Sequence, residues 1–131
     1  MKSPTASVAV SVLLLAVLSG CSMGPSVSDK HFADHSDALN SSSAAYIPGF
    51  LPTDAEGVDL AVGSKPAGSQ LHWSSTGGIT ASYCEAGPIS GTPTDLGVDW
   101  WPDTVPAEGF DCGRWMAFES GGEFFAWDTD F

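Results

Sequence analysis

Between Arg114 and Asp128 the chain offers two apolar arms around Ser120-Gly121-Gly122. Glycine takes positive φ at little steric cost, so this segment reads as a β-hairpin. In the first arm Trp115 and Ala117 face one way, Met116 and Phe118 the other. The second arm alternates Phe124 and Ala126 with Phe125 and Trp127, and is therefore apolar on both faces. A strand of that kind belongs at the centre of a sheet or under cover, not at a wet edge.

Upstream, two further runs alternate with period 2. Val58, Leu60 and Val62 share one face, and Leu71 and Trp73 share another with His72 opposite. Gly63 to Ser69, holding Pro66, separates them as a turn. After Gly77-Gly78, the alternation of Ile79, Ala81 and Tyr83 predicts a third strand that carries Cys84. From Gly87 to Gly113 four prolines and five glycines leave no periodicity, which predicts a long ordered loop. The expected fold class is mainly β: a small antiparallel sheet or sandwich of about five short strands with long Gly/Pro loops and one disulfide.

The N-terminus has a different character. Lys2, the apolar run Val8 to Leu18, then Ser19 and Gly20 follow the plan of an export signal. The run is too short for the about 20 apolar residues that a membrane-spanning helix needs. Leu18 does not fit an ordinary A-x-A-like cleavage site. Leu18-Ser19-Gly20-Cys21 instead resembles the bacterial lipobox, which implies removal of residues 1–20 and lipidation of the Cys21 thiol. Two or three acyl chains hold a protein stably on a bilayer, so membrane lipid is the expected partner through Cys21. Residues 21–45 have the polar composition of a flexible linker, with a root-mean-square span of roughly 25 to 30 Å. The single small acidic β-rich domain is then 46–131.

With Cys21 assigned to lipid, Cys84 and Cys112 form an even pair in an exported protein, and they are expected to be bonded to each other. Neither lies in a Cys-x-x-Cys motif, so the bond reads as structural. The mature segment has only Lys30, Lys65 and Arg114 as basic residues, against 16 Asp and Glu. Nucleic acid is excluded as a partner, because phosphate contacts from Lys and Arg supply most of that affinity.

From Pro48 onward the chain is similar to predicted secreted lipoproteins of high-GC Gram-positive bacteria. The similarity rests on Pro48-Gly49-Phe50-Leu51-Pro52-Thr53-Asp54-Ala55, Leu71-His72-Trp73-Ser74-Ser75, Cys84, Cys112-Gly113-Arg114-Trp115 and Phe125-Ala126-Trp127. It implies the extracytoplasmic compartment and a disulfide, and carries no activity with it.

Three groups of residues have chemical potential. His31 and His35 would share a face within one helical turn, but with no third ligand near in sequence they read as solvated side chains, and no metal is expected. Asp95, Asp99, Asp103, Glu108 and Asp111 lie in the Cys-enclosed loop without the spacing of a calcium loop. Trp100 and Trp101, adjacent and pointing to different sides of an extended backbone, make a candidate binding patch with Asp99 and Asp103. The chain lacks His-Glu-x-x-His and a phosphate loop, so no enzyme and no cofactor is expected. The functional expectation is a lipid-anchored, non-catalytic binding or accessory module on the extracytoplasmic face of the cell membrane, with an extracellular protein or glycan as partner. The alternative is a small hydrolase of cell-wall sugar built on two carboxylates.

Overall fold

The computed structural model describes residues 26–131. The expected signal at 1–20 and the lipidation site Cys21 lie outside the described residues.

The described residues form one antiparallel sheet of seven strands. These are β1 (Ser26–Asp34), β2 (Glu56–Lys65), β3 (Ala67–Ser74), β4 (Glu85–Pro88), β5 (Glu108–Cys112), β6 (Trp115–Ser120) and β7 (Glu123–Asp128). A short helix α1 (His35–Leu39) and a 3-10 turn (Ala44–Tyr46) lie between β1 and β2. The spatial order is β1-β2-β3-β7-β6-β5-β4, so the doubly apolar β7 is the middle strand. Phe124 and Ala126 pack into one core with Trp73, Leu71, Val58 and Trp115. Phe125 and Trp127 pack into a second core with Met116 and Phe118 on the other side of the sheet.

Both faces are covered by irregular chain rather than by a second sheet. On the first, Phe50, Leu51 and Ala55 follow the 3-10 turn and pack on the strands, joined by Ile79 and Ala81. On the second, Ile89, Trp100, Trp101 and Val105 fold over the aromatic layer from the segment between β4 and β5. That segment leaves and returns through adjacent strands, since Pro88 pairs with Glu108 and Glu85 with Asp111. At the open end of this long hairpin Cys84 and Cys112 are bonded, as the cysteine count predicts.

The strand count differs from the expected five, for three physical reasons. Residues 26–45, expected as flexible linker, are ordered. Ser26–Asp34 is an edge strand that pairs along β2 through its backbone and buries only Phe32. Asp34 then caps α1 by accepting from Asp37 N at 2.8 Å. Second, the alternation of Ile79 to Tyr83 does not form a strand. Ile79 and Ala81 pack on the covered face with no partner edge beside them, Tyr83 is exposed, and a turn from Ala81 O to Cys84 N closes the run. Third, the Gly/Pro-rich region is framed by two short strands, β4 and β5, at its ends.

The β6–β7 hairpin closes in two residues, because Ser120 pairs with Glu123 and both Gly121 and Gly122 have positive φ. That pair of dihedrals matches the right-handed twist of the flanking strands. Gly109 answers to a different demand. A Cβ there would meet the carbonyl oxygen of Ala117 and the end of Ile89, so close strand approach requires glycine.

The disulfide closes a loop with a sequence separation of 28. In the chain-entropy account this contributes roughly 3 to 4 kcal/mol. Cys84→Ser/Cys112→Ser is expected to lower unfolding free energy by about that amount in urea titrations. A change below about 1 kcal/mol would contradict the role given to this bond.

Candidate functional site

The second face of the sheet carries the chemistry. His31 of β1, Asp59 of β2, His72 of β3 and Phe125 of β7 are successive register partners, and so form one row across four strands. Asp59 bridges the two histidines: Oδ1 lies 2.8 Å from His31 Nδ1, and Oδ2 lies 2.8 Å from His72 Nδ1. An ionised carboxylate only accepts, so both rings turn Nδ1–H toward it. His72 is the more enclosed ring, 12% exposed against 66% for His31. Its Nε2 faces Glu123 Oε2 at 3.1 Å outside hydrogen-bonding geometry. Phe125 stacks on one side of His72 at 4.8 Å and Trp100 on it at 5.9 Å.

Trp100 and Trp101 both turn toward the sheet. The backbone bends at Asp99-Trp100, which removes the extended geometry that would send adjacent side chains to opposite sides. Trp100 donates Nε1–H to Asp29 Oδ1 at 3.0 Å, tying the loop to the edge strand β1. Trp101 meets Phe118, Phe125 and Trp127 edge to face, with centroids 5.7 to 6.4 Å apart. This is the favoured arrangement of aromatic quadrupoles. Both indoles are half-buried. Asp99 and Asp103 stand exposed beside them.

Between the loop's own limbs runs an open groove of about 540 Å³. Trp101, Pro102 and Val105 give it an apolar wall, while Asp95, Asp103 and Thr92 give it oxygens. Of the four expected binding residues, Trp101 and Asp103 line this groove, whereas Trp100 and Asp99 do not. Leu96 anchors the loop from beneath, buried against Gly63 and Gly68. Gln70 holds the same loop by donating Nε2–H to Thr94 O at 2.6 Å.

His31 and His35 do not share a helical turn, because His31 lies in β1 and His35 opens α1. Among the described residues no group of three His, Cys, Asp or Glu side chains is arranged to hold a metal ion. Two other ionisable groups are held by specific partners. Ser75 Oγ–H and Gly77 N–H donate to Asp54 and keep its carboxyl below the ordinary carboxylate range. Arg114 binds Asp128 through Nε, which raises its pKa further.

The His31–Asp59–His72 row was beyond reach of motif reading, since its members are joined by strand adjacency rather than by spacing. Its one sequence signal is the alternation that puts His72 opposite Leu71 and Trp73. No helix among the described residues is long and apolar enough to cross a membrane. No protein-family profile matches the chain, and neither the curated proteins nor the solved structures include a match.

Trp101 is a packing residue as well as a groove wall. Trp101→Ala is expected to cost about 2 to 4 kcal/mol in urea unfolding, below the full value for a wholly buried indole. Asp99→Asn and Asp103→Asn, at exposed positions, are expected to stay within about 0.5 kcal/mol of the parent. Equal losses in all three variants would contradict this division of roles.

Proposed function

We propose that the chain is a lipid-tethered extracytoplasmic module that acts by binding, with a glycan as the ligand class its groove suits best. The observation that carries this reading is the groove itself, where half-buried Trp101 stands beside Asp95, Asp103 and Thr92. An indole gives apolar contact to a sugar ring, while carboxylates and hydroxyls accept from and donate to its hydroxyl groups. The volume falls in the range of small-ligand sites, roughly 300 to 1,000 Å³. A net negative chain with few cations suits a neutral ligand better than an anionic one.

The tether is supported by the signal at Lys2 to Gly20 and by cysteine use. Of three cysteines, Cys84 and Cys112 are bonded to each other, which leaves Cys21 as the remaining thiol. Binding is favoured over hydrolysis by the setting of the two groove carboxylates. A glycosidase acid holds its proton through apolar burial or a close like charge. Asp95 and Asp103 are both exposed, and Asp95 already accepts from Gly97 N at 2.9 Å.

Titration with soluble N-acetylated oligosaccharides from cell wall, followed by tryptophan fluorescence and amide NMR, tests the reading. Saturable shifts confined to residues 91–105 are expected. Asp103→Asn should weaken binding about tenfold, the effect of one charge-assisted hydrogen bond of about 1.5 kcal/mol. Absence of saturable shifts in the groove would overturn the glycan reading. Appearance of new reducing ends would replace it with the hydrolase.

A further inference from the structure

The point where β1 begins limits how a lipidated chain can sit on its membrane. Cys21 and Ser26 are five residues apart, so the connection between them reaches at most about 17 Å. The nine residues of β1 extend about 30 Å from there. A tether shorter than the body it holds fixes which end of that body meets the surface. The end in question is defined by pairing: Ser26 opposes Lys65, the β2–β3 turn follows at Pro66, and β7 runs down to Asp128 beside β3.

What this end exposes fits a lipid surface. Tyr46 and Phe131, about half exposed, are two of the large apolar side chains that the fold leaves uncovered. Tyr46 lines a pocket with Ser28, Lys30, Leu60 and Val62 along the first half of β1, and a second one with Phe131, Arg114 and Asp128. Tyrosine is suited to the headgroup level, where one end of the ring is apolar and the other wet. Lys65 is exposed in the turn itself. Arg114 pairs with Asp128 and leaves Asp130 without an ion-pair partner among the described residues. Glu85 and Asp111 stand at this same end on β4 and β5, and Asp111 lines a pocket with Ala67 and Phe131, so the apolar side chains and the short tether, not net charge, favour the bilayer.

The other end carries carboxylates of its own. Asp34 closes β1, Glu56 opens β2, and Glu119 and Glu123 flank the β6–β7 turn, all exposed. At about 30 Å from the anchored end they lie well beyond a Debye length of about 10 Å, and do not oppose approach to anionic headgroups.

We infer that the end of the sheet formed by Ser26, Lys65, Tyr46 and Phe131 is a membrane-apposed surface, which seats the domain on the bilayer with its acidic β6–β7 end pointing outward. This rests on the lipid-tether reading. It replaces the picture of a domain standing clear of the headgroups on a long flexible linker.

The test supplies the anchor chemically, so that its result is independent of lipidation in the cell. The chain beginning at Cys21, with the disulfide intact, is coupled through the Cys21 thiol to a maleimide lipid. The lipid sits in nanodiscs of phosphatidylcholine and phosphatidylglycerol doped with a gadolinium-chelating lipid. Amide signals of Lys65, Ala67 and Thr129 to Phe131 are expected to broaden several-fold more than those of Gly121 to Glu123. In a second chain with a Gly/Ser spacer of about 20 residues before Ser26, about 25 Å in root-mean-square span, the bias is expected to persist. It should be lost on Tyr46→Ser/Lys65→Ser/Phe131→Ser. Equal broadening at both ends of the short-tethered chain, or a spacer-chain bias unchanged by the triple variant, would overturn the inference. These positions are exposed, so an unchanged amide spectrum in solution verifies that the triple variant is folded. Whether Cys21 is lipidated in the cell is decided separately, by the mass of its N-terminal peptide from native membranes.

Discussion

The structure depends on β7 having no polar face. Phe124 and Ala126 point one way, Phe125 and Trp127 the other, and all four are buried. At about 25 cal/mol per Å² of apolar area removed from water, such a strand is stable only where both sides are covered. Its place fourth of seven gives it neighbours on both edges, β3 and β6, but neighbours do not cover faces. Cover comes from chain with little regular structure of its own: the segment around Phe50 and Leu51 on one side, and the loop carrying Trp100 and Trp101 on the other. The disulfide holds the ends of that second cover next to each other. This gives the described residues, rich in glycine and proline, two packed cores from a single sheet.

The polar row on the second face joins packing to the proposed site. His72 is stacked against Phe125 of the central strand and Trp100 of the loop, while its Nδ1 is held by Asp59. Asp59 in turn reaches His31, and Trp100 reaches Asp29, so the edge strand β1 is bound twice to the centre. A polar edge strand with one buried side chain has little hydrophobic reason to stay in place. These cross-strand bonds, besides the backbone ladder, provide one. The same contacts fix the base of the loop, and so the groove that opens at Trp101 is built on rigid ground.

The parts of this fold that were legible from sequence are those whose side chains report their own burial. The Gly121-Gly122 hairpin, the central position of β7, and the Val58 and Leu71 strands all show period-2 alternation with strong apolar contrast. β1 was hidden because an edge strand is paired by backbone atoms, and Ser26 to Asp34 reads as solvated. β4 and β5 were hidden by Gly87, Pro88 and Gly109, residues chosen for close approach rather than for strand propensity. Ile79 to Tyr83 misled in the opposite sense, since alternation toward a core does not require a paired edge. At the candidate site, Trp101 and Asp103 were expected from sequence and line the groove, whereas the direction of Trp100 needed the turn at Asp99. The Asp59 bridge needed knowledge of which strands are neighbours.

The loop between β4 and β5 is the second cover of β7, not an appendage. Because Pro88 and Glu108 are register partners, residues 89–107 can be replaced by a two-residue Asn-Gly turn without disturbing the ladder. Amide hydrogen exchange of β7 in the parent and shortened chains then measures this role directly. Protection at Phe125 and Trp127 is expected to fall by at least about tenfold, the equivalent of about 1.4 kcal/mol, with β1–β2 pairing also weakened near Asp29. Protection of β7 unchanged by loss of the loop would contradict this role.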